Sequence, residues 1–164
     1  MYEVIDDLTR WLAAGEADIA LATVLTTWGS APRRAGAKMA FTAGGAALSG
    51  SVSGGCVEGA VIAAGEETLA DGRPRRLRFG VADETAWGVG LACGGTIEVF
   101  VERLDRAAYA AARRWLDAGA SGALLTVVAG PEALLGRKAI VEDGQVIAGS
   151  LGAALGEMLP VAVP

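Results

Sequence analysis

Histidine is absent from this chain of 164 residues, and cysteine occurs only twice. Without histidine there is no Ser-His-Asp or Cys-His catalysis and no HExxH zinc site. Two isolated cysteines give neither a disulfide framework nor a CxxC pair, so both thiols stay available in a reducing compartment. Ordinary hydrolase mechanisms are therefore nearly excluded.

Long apolar runs and an excess of positive charge are also lacking. No apolar run reaches the roughly 18 residues that could span a bilayer, and the acidic start MYEVIDD is unlike a secretory signal. The formal net charge of −5 disfavours nonspecific binding to nucleic acid, although the basic cluster of Arg33, Arg34 and Lys38 could hold a small anion. We expect a cytoplasmic protein whose partners are neither nucleic acid nor membrane.

Apolar residues are abundant, at 52% of the chain, and they predict one ordered domain over residues 1–164. Apolar residues at helical spacing predict helices, and β-branched or alternating runs predict strands. The predicted order is a helix over 4–12, strands over 19–27, 38–42 and 47–52, a helix over 57–69, strands over 76–79 and 96–103, and a helix over 107–118. We expect an α/β or α+β fold with a mixed sheet and flanking helices.

The C-terminal part of the chain, over residues 120–155, repeats the first part. The shared residues are ALATV from Ala20 and ALLTV from Ala123, then Gly36, Lys38 and Gly44 against Gly136, Lys138 and Gly144, and Gly50-Ser51 against Gly149-Ser150. We interpret this as two strand-turn-strand-strand lobes. The copies diverge at Ser53–Glu58 (SGGCVE), which the second copy lacks, so shared residues serve folding and SGGCVE is extra. The alternative is that one copy simply drifted.

The segment Ser49–Glu58 has the pattern of a strand end, a glycine-rich loop and a helix start. Glycines permit positive φ, and the N–H groups at a helix N-terminus favour an anion, so the loop could cradle a phosphate. It is neither a Walker A loop nor a GxGxxG loop. Neither nucleoside-triphosphate hydrolysis nor dinucleotide binding is supported.

Cys56 lies at this helix start, where the dipole and the amides should stabilise a thiolate that binds a metal or carries sulfur. The competing interpretation is a buried structural cysteine. Glu58 either tunes the thiol or bonds a cofactor heteroatom, or is an ordinary helix-dipole residue. Cys93, beside Gly94 and Gly95, is a second glycine-flanked thiol, and taken alone it is more typical of a structural residue.

Three ordered motifs carry a resemblance to a known family. They are TWGSAPRR from Thr27 with GAKM from Gly36, GSVSGGCVEGAV from Gly50, and AWGVGLACGG from Ala86 to Gly95. Together they resemble the N-terminal domain of the XdhC/CoxI family, specifically over residues 20–102 and more loosely to about residue 152. Longer family members continue into a C-terminal nucleotide-binding-type domain, which we do not expect here because no strand is followed by GxGxxG.

The resemblance implies a chaperone that binds molybdenum cofactor, as molybdopterin or its dinucleotide form, and assists its sulfuration and insertion. The implied partners are an apo molybdenum hydroxylase of the xanthine-dehydrogenase or CO-dehydrogenase type and a cysteine desulfurase, and a homodimer is compatible with it. Cys56 would carry sulfur or contact molybdenum, with Glu58 beside it. The implied cofactor contacts are Arg33, Lys38, Ser51, Ser53, Gly54, Gly55, Cys93, Gly94 and Gly95.

An accessory chaperone is expected in preference to an enzyme, because nothing in the chain supplies a general base. Two alternatives stay open. The first is a persulfide-relay sulfurtransferase that uses Cys56, and the second is a docking scaffold for the hydroxylase in which both cysteines are inert.

Overall fold

The computed structural model describes residues 1–80 and 95–152, and the chain divides into two compact units, residues 1–104 and 105–164. Cys93 and Gly94 lie outside the described residues. The helices are α1 (Ile5–Ala13), α2 (Glu58–Asp71) and α3 (Arg106–Ala118), and the strands are β1 (Ile19–Trp28), β2 (Lys38–Thr42), β3 (Leu48–Gly50), β4 (Arg75–Phe79), β5 (Thr96–Arg103), β6 (Ala123–Thr126), β7 (Lys138–Glu142) and β8 (Gln145–Gly149).

The first unit contains a five-stranded sheet in the order β3-β2-β1-β5-β4. Helix α2 packs against this sheet through Val61 and Leu69, which join the buried apolar core. The helix approaches closely because Gly65 has no side chain: a β-carbon at Gly65 would overlap the ring of Phe41 on β2. This packing fixes the direction of α2 and therefore the position of the loop before it.

Helix α1 covers another part of the first unit, together with a short 3₁₀ helix, Tyr2–Val4. The apolar stripe predicted from the sequence is buried at Val4, Ile5 and Leu8. The 3₁₀ helix contacts β2 and β3, and the Ser49 hydroxyl on β3 donates a hydrogen bond to Asp7. The N-terminal residues are thus held beside the strand that leads into the glycine-rich loop.

The second unit contains a three-stranded sheet in the order β6-β7-β8. Helix α3 packs on β7, and Trp115 Nε1 donates to Glu142 Oε1 at 2.6 Å. Asp105 caps the start of the helix, where its side chain accepts from the Ala108 N–H at 2.9 Å, and Gly119, with φ 62°, caps its end. The helix therefore has a typical N-cap and a typical C-cap.

The predicted α/β or α+β class is confirmed, but the sheets differ from the expected mixed sheet. Every pairing among the described strands is antiparallel. Four of the six pairings join strands that are consecutive in the chain by short connections, and such connections impose antiparallel pairing. Strand β3 is also shorter than the predicted 47–52, because the chain leaves the sheet at Gly50.

The turn between the first two strands of each lobe makes the same hydrogen bonds in both copies. In the first copy, Gly36 N–H donates to Val24 O at 2.8 Å and Ala37 N–H donates to Arg34 O at 3.1 Å. In the second copy, Gly136 N–H donates to Val127 O at 2.9 Å and Arg137 N–H donates to Leu134 O at 3.1 Å. Leu134 therefore stands where the first copy has Arg34.

Two further contacts recur. Lys38 Nζ donates to Thr23 Oγ1 at 2.8 Å, and Lys138 Nζ donates to Thr126 Oγ1 at 3.1 Å. Gly50 and Gly149 have positive φ, 75° and 79°, and a β-carbon on either would overlap the carbonyl oxygen of the corresponding lysine. We call the contacts shared by the two copies the repeated framework.

The repeat also includes the preceding helix, which the sequence analysis missed. Arg10-Trp11-Leu12 near the end of α1 matches Arg114-Trp115-Leu116 near the end of α3, and each match is followed by a glycine, Gly15 and Gly119, with positive φ. Each copy therefore consists of a helix followed by three antiparallel strands.

Candidate functional site

The residues between β3 and α2, which we call the Cys56 loop (residues 51–57), form the centre of the candidate site. Val52, Ser53 and Val57 are buried, whereas Gly54, Gly55 and Cys56 are exposed. The two glycines have φ of 77° and 116°, which a residue with a side chain rarely adopts. Buried residues thus anchor both ends of the loop, and its tip projects to the surface.

The carboxylate of Glu58, the first residue of α2, accepts hydrogen bonds from most of this loop. Its Oε1 accepts from Ser51 Oγ at 2.7 Å, Ser53 N at 2.9 Å and Val52 N at 3.2 Å. Its Oε2 accepts from Gly55 N at 2.9 Å, Val57 N at 3.2 Å and the Ser53 hydroxyl. The anion that the loop amides favour is therefore supplied by the chain itself.

These hydrogen bonds hold Glu58 in its ionised form. Partial burial by itself raises the pKa of this carboxyl, but the Ser53 and Ser51 hydroxyls and the Ser53 N–H stabilise the carboxylate and lower its pKa to about 2. Glu58 is therefore negatively charged across the physiological range. Since its oxygens already accept from six donors, a phosphate at these amides would have to displace this carboxylate.

Cys56 is a free and exposed thiol, so it is not the buried structural cysteine of the competing interpretation. It lies two residues before the first residue of α2, as the sequence predicted. Val57, which follows it, is fully buried. The thiol is thus presented on an ordered loop and not on a flexible tail.

The predicted backbone contacts of the cofactor are engaged within the loop. Gly54 N donates to Ser51 Oγ at 2.8 Å, and Gly55 N donates to Glu58. In the second copy the matching serine also accepts from a glycine amide, since Gly152 N donates to Ser150 Oγ at 3.1 Å, but this glycine is two residues after the serine and Gly54 is three residues after Ser51. The Glu58 contacts therefore distinguish the Cys56 loop from the repeated framework.

The predicted basic contacts lie in two different settings. Arg33 Nε donates to Ser51 O at 3.1 Å, and its guanidinium forms an ion pair with Glu3, so Arg33 ties the N-terminal residues to the loop. Lys38 makes the Thr23 contact that Lys138 reproduces in the second copy, so its ammonium serves the repeated framework. A phosphate contact of Arg33 or Lys38 stays a prediction.

The structure brings two of the three sequence motifs together with the last residue of the third. A β-carbon built on Gly54 would lie 3.8 Å from Pro32 Cγ, so the first and second motifs touch. A β-carbon built on the buried Gly95 would lie 2.9 Å from Ala31 N and 3.0 Å from Trp28 O, which places the start of β5 under the first motif. Trp28 itself is 74% exposed.

The sequence analysis did not assign a site role to Arg34 individually. Its side chain is exposed and, among the residues that the structure describes, has no hydrogen-bond or ion-pair partner. It lines a cavity of about 510 Å³ between residues 1–3 and 32–37, which we call the Arg34 cavity. The comparison of the two copies, in which Leu134 replaces Arg34, is the signal that could have identified it.

Within residues 1–80 and 95–152, no group of three or more histidine, cysteine, aspartate or glutamate side chains is arranged to hold a metal ion. In the same residues no helix is long and apolar enough to cross a membrane. The chemistry that the described site offers is thus a single soft thiol beside a cationic cavity.

Fold and site together define an α+β protein that displays a thiol on a glycine-rich loop before a helix. Residues 11–80 match the model of the XdhC and CoxI family. The resemblance that the motifs predicted is confirmed over these residues.

Two other proteins are similar to this chain. A probable xanthine dehydrogenase subunit of Bacillus subtilis (strain 168) is 36% identical over 99 residues, which cover 58% of this chain and 29% of that protein. The crystal structure of a xanthine dehydrogenase from Bacillus halodurans is similar with a TM-score of 0.70 and 27% identity, over 88% of this chain and 44% of that chain. This chain therefore spans less than half of each of these relatives.

Proposed function

We propose that this protein is an accessory protein of a xanthine-dehydrogenase-type molybdenum hydroxylase, and that it binds molybdenum cofactor as cargo. The names of the two relatives support the association with xanthine dehydrogenase. The observation that carries the proposal is the exposed Cys56 thiol on a loop ordered by Glu58. Thiolate sulfur suits a soft metal centre, and a thiol at a helix start is a favourable ligand.

In this proposal the residues of the Cys56 loop and Glu58 have different roles. Cys56 contacts the molybdenum centre or its sulfur ligand, and Glu58 holds the loop so that the thiol points outward. Buried Val52 and Val57 anchor the loop in the core. The cargo supplies the metal chemistry, and the chain supplies a fixed position and a soft ligand.

Retention of molybdenum cofactor by purified protein tests the proposal. We expect the wild type to retain cofactor through gel filtration, detected by fluorescence of the oxidised pterin, and Cys56→Ala to lose most of it. Cys56→Ser is the matched control, because it keeps the size of the side chain and replaces only the soft ligand. A folded Cys56→Ala that retains as much cofactor as the wild type would remove Cys56 from the site.

A persulfide relay is the second candidate, and the exposure of the Cys56 thiol favours it. The Cys56 thiolate would attack the terminal sulfur of a desulfurase persulfide, forming a new S–S bond and releasing the desulfurase cysteine as a thiolate. Mass spectrometry of the protein incubated with a cysteine desulfurase and cysteine would then find one added sulfur atom on Cys56. Unmodified Cys56 after desulfurase turnover would reject the relay.

A further inference from the structure

The Arg34 cavity is the next feature beside the Cys56 loop. It is formed by residues 1–3 on one side and by residues 32–37 on the other. Its volume of about 510 Å³ lies in the range of small-molecule sites. It shares a wall with the Cys56 loop, because Pro32 lies against Gly54 and Arg33 Nε donates to Ser51 O at 3.1 Å.

Among the charged side chains that line this cavity, Arg33 and Arg34 are cationic and Glu3 is anionic; the amino group of Met1 also lines it, with its pKa lowered to about 6, chiefly by burial. Arg33 is paired with Glu3, whereas Arg34 has no partner among the described residues. An exposed guanidinium in a concave site is a ready partner for a phosphate oxygen, which it can bind through two parallel hydrogen bonds. The cavity therefore favours an anionic ligand.

The second copy shows that the turn itself does not need an arginine. Leu134 occupies the position of Arg34, and its carbonyl accepts the same hydrogen bond at the same distance, 3.1 Å. The Leu134 side chain packs against the small apolar core of the second unit. Arg34, like Cys56, is thus a residue of the first copy that is not part of the repeated framework.

The Cys56 loop is a poor phosphate site in this structure, since Glu58 occupies its amides. A phosphorylated cargo whose metal end lies at Cys56 needs a cation elsewhere. We propose that the Arg34 cavity is the subsite for the phosphate or pyrophosphate group of the cargo, with Arg34 as its principal ligand. This inference rests on the proposed function, and it names Arg34 in place of the loop amides and Lys38.

The first test measures two pterins, the oxidised phosphorylated pterin and its dephosphorylated form, by fluorescence titration. For the wild type we expect the phosphorylated pterin to bind more tightly. Arg34→Leu, which installs the residue of the second copy, should weaken the phosphorylated pterin about tenfold and leave the dephosphorylated one unchanged. Equal affinities of the wild type for the two pterins would overturn the subsite while leaving cofactor binding intact.

Arg73→Leu is the matched control. It removes the same charge beyond the C-terminal end of α2, and the helix separates it from the Cys56 loop by about 20 Å. We expect no change in the affinity ratio of the two pterins. Equal weakening by Arg34→Leu and Arg73→Leu would show a nonspecific charge effect and would contradict the proposal.

A second probe, inorganic pyrophosphate, tests the cavity even if the protein binds neither pterin. Amide signals of residues 33–37 should shift during a pyrophosphate titration of the wild type and stay in place for Arg34→Leu. Shifts that are scattered over the surface, or that persist in Arg34→Leu, would overturn the subsite. Absence of pterin binding together with local pyrophosphate shifts would reject the cargo and keep the anion site.

Discussion

At the residue scale, Glu58 has the largest number of contacts in the candidate site. Its carboxylate accepts from two serine hydroxyls and four backbone N–H groups. Backbone N–H groups arranged in this way commonly bind a free anion, and here the Glu58 carboxylate of the same chain takes the place of that anion. We infer that Glu58 positions Cys56 without taking part in its chemistry.

Glu58→Gln tests this role. The amide keeps the shape of the side chain but removes the charge and turns one oxygen into a donor that faces other donors. We expect the free energy of unfolding at neutral pH to fall by about 2 kcal/mol, the scale of hydrogen bonds to a charged group. Hydrogen exchange at the Gly55 and Val57 amides should accelerate more than exchange at a control amide in β5.

The pH dependence of this contribution follows from the lowered pKa. A carboxyl with an ordinary pKa of 4.5 and a folded-state pKa of about 2 stabilises the native state fully above pH 4.5. Its contribution is lost as the pH falls from 4.5 to about 2. Chemical denaturation should therefore show a constant difference in the free energy of unfolding between wild type and Glu58→Gln above this pH range. Below the range the difference should vanish.

The sequence predicted the type of site but not its internal contacts. It placed Cys56 at a helix start and identified the three motifs, because spacing and glycine content are local features. It could not show that Glu58 turns back onto its own loop, since a glutamate in a first helical turn more often only balances the dipole. The contact of Lys38 with Thr23 could not be predicted from the sequence either, because it joins two different strands.

At the element scale, α2 is the helix that positions the site. We expect alanine substitutions at its two glycines to have opposite effects on stability. A methyl group at Gly65 would overlap the ring of Phe41, which is fully buried. We expect Gly65→Ala to lower the free energy of unfolding by about 1–3 kcal/mol, the usual cost of overpacking. Denaturant titration in the full chain measures this.

Gly59→Ala is the control on the same helix. No atom lies within 4 Å of a β-carbon built there, so only the higher helix propensity of alanine acts. We expect stabilisation of about 0.5–1 kcal/mol. Equal effects of the two substitutions would mean that α2 does not pack against Phe41 as described.

The elements themselves were largely predictable. The strand over 38–42 and the strand over 96–103 have the predicted bounds, and the helices differ by a few residues. Local apolar patterns carry this information. The pairing of β1 with β5 was not predictable, because it joins residues such as Thr23 and Phe100 that are far apart in the chain. The expectation of a mixed sheet was wrong for a different reason, because it overlooked the short connections that impose antiparallel pairing.

At the scale of the whole molecule, the duplication predicts the effects of substitutions at equivalent positions of the two copies. Gly50→Ala and Gly149→Ala should each destabilise the protein by about 2–4 kcal/mol, because each forces a positive φ on alanine and a clash with a lysine carbonyl. Gly50→Ala should cost more, because its β-carbon would also lie 2.8 Å from Val4 Cγ1. Denaturation of each variant, followed by far-ultraviolet circular dichroism, measures both. Gly130→Ala is the control, because it has positive φ but open space around a β-carbon.

Under the proposed function, the loop that Glu58 holds in place also has a kinetic consequence. Ordering a residue costs about 1–2 kcal/mol of conformational entropy, and a loop that closes only around its ligand loses this entropy at every binding event. Here the loss occurs once, during folding. Under the proposed function, cargo would enter and leave without refolding of the loop, and its release would be limited by the strength of its own contacts.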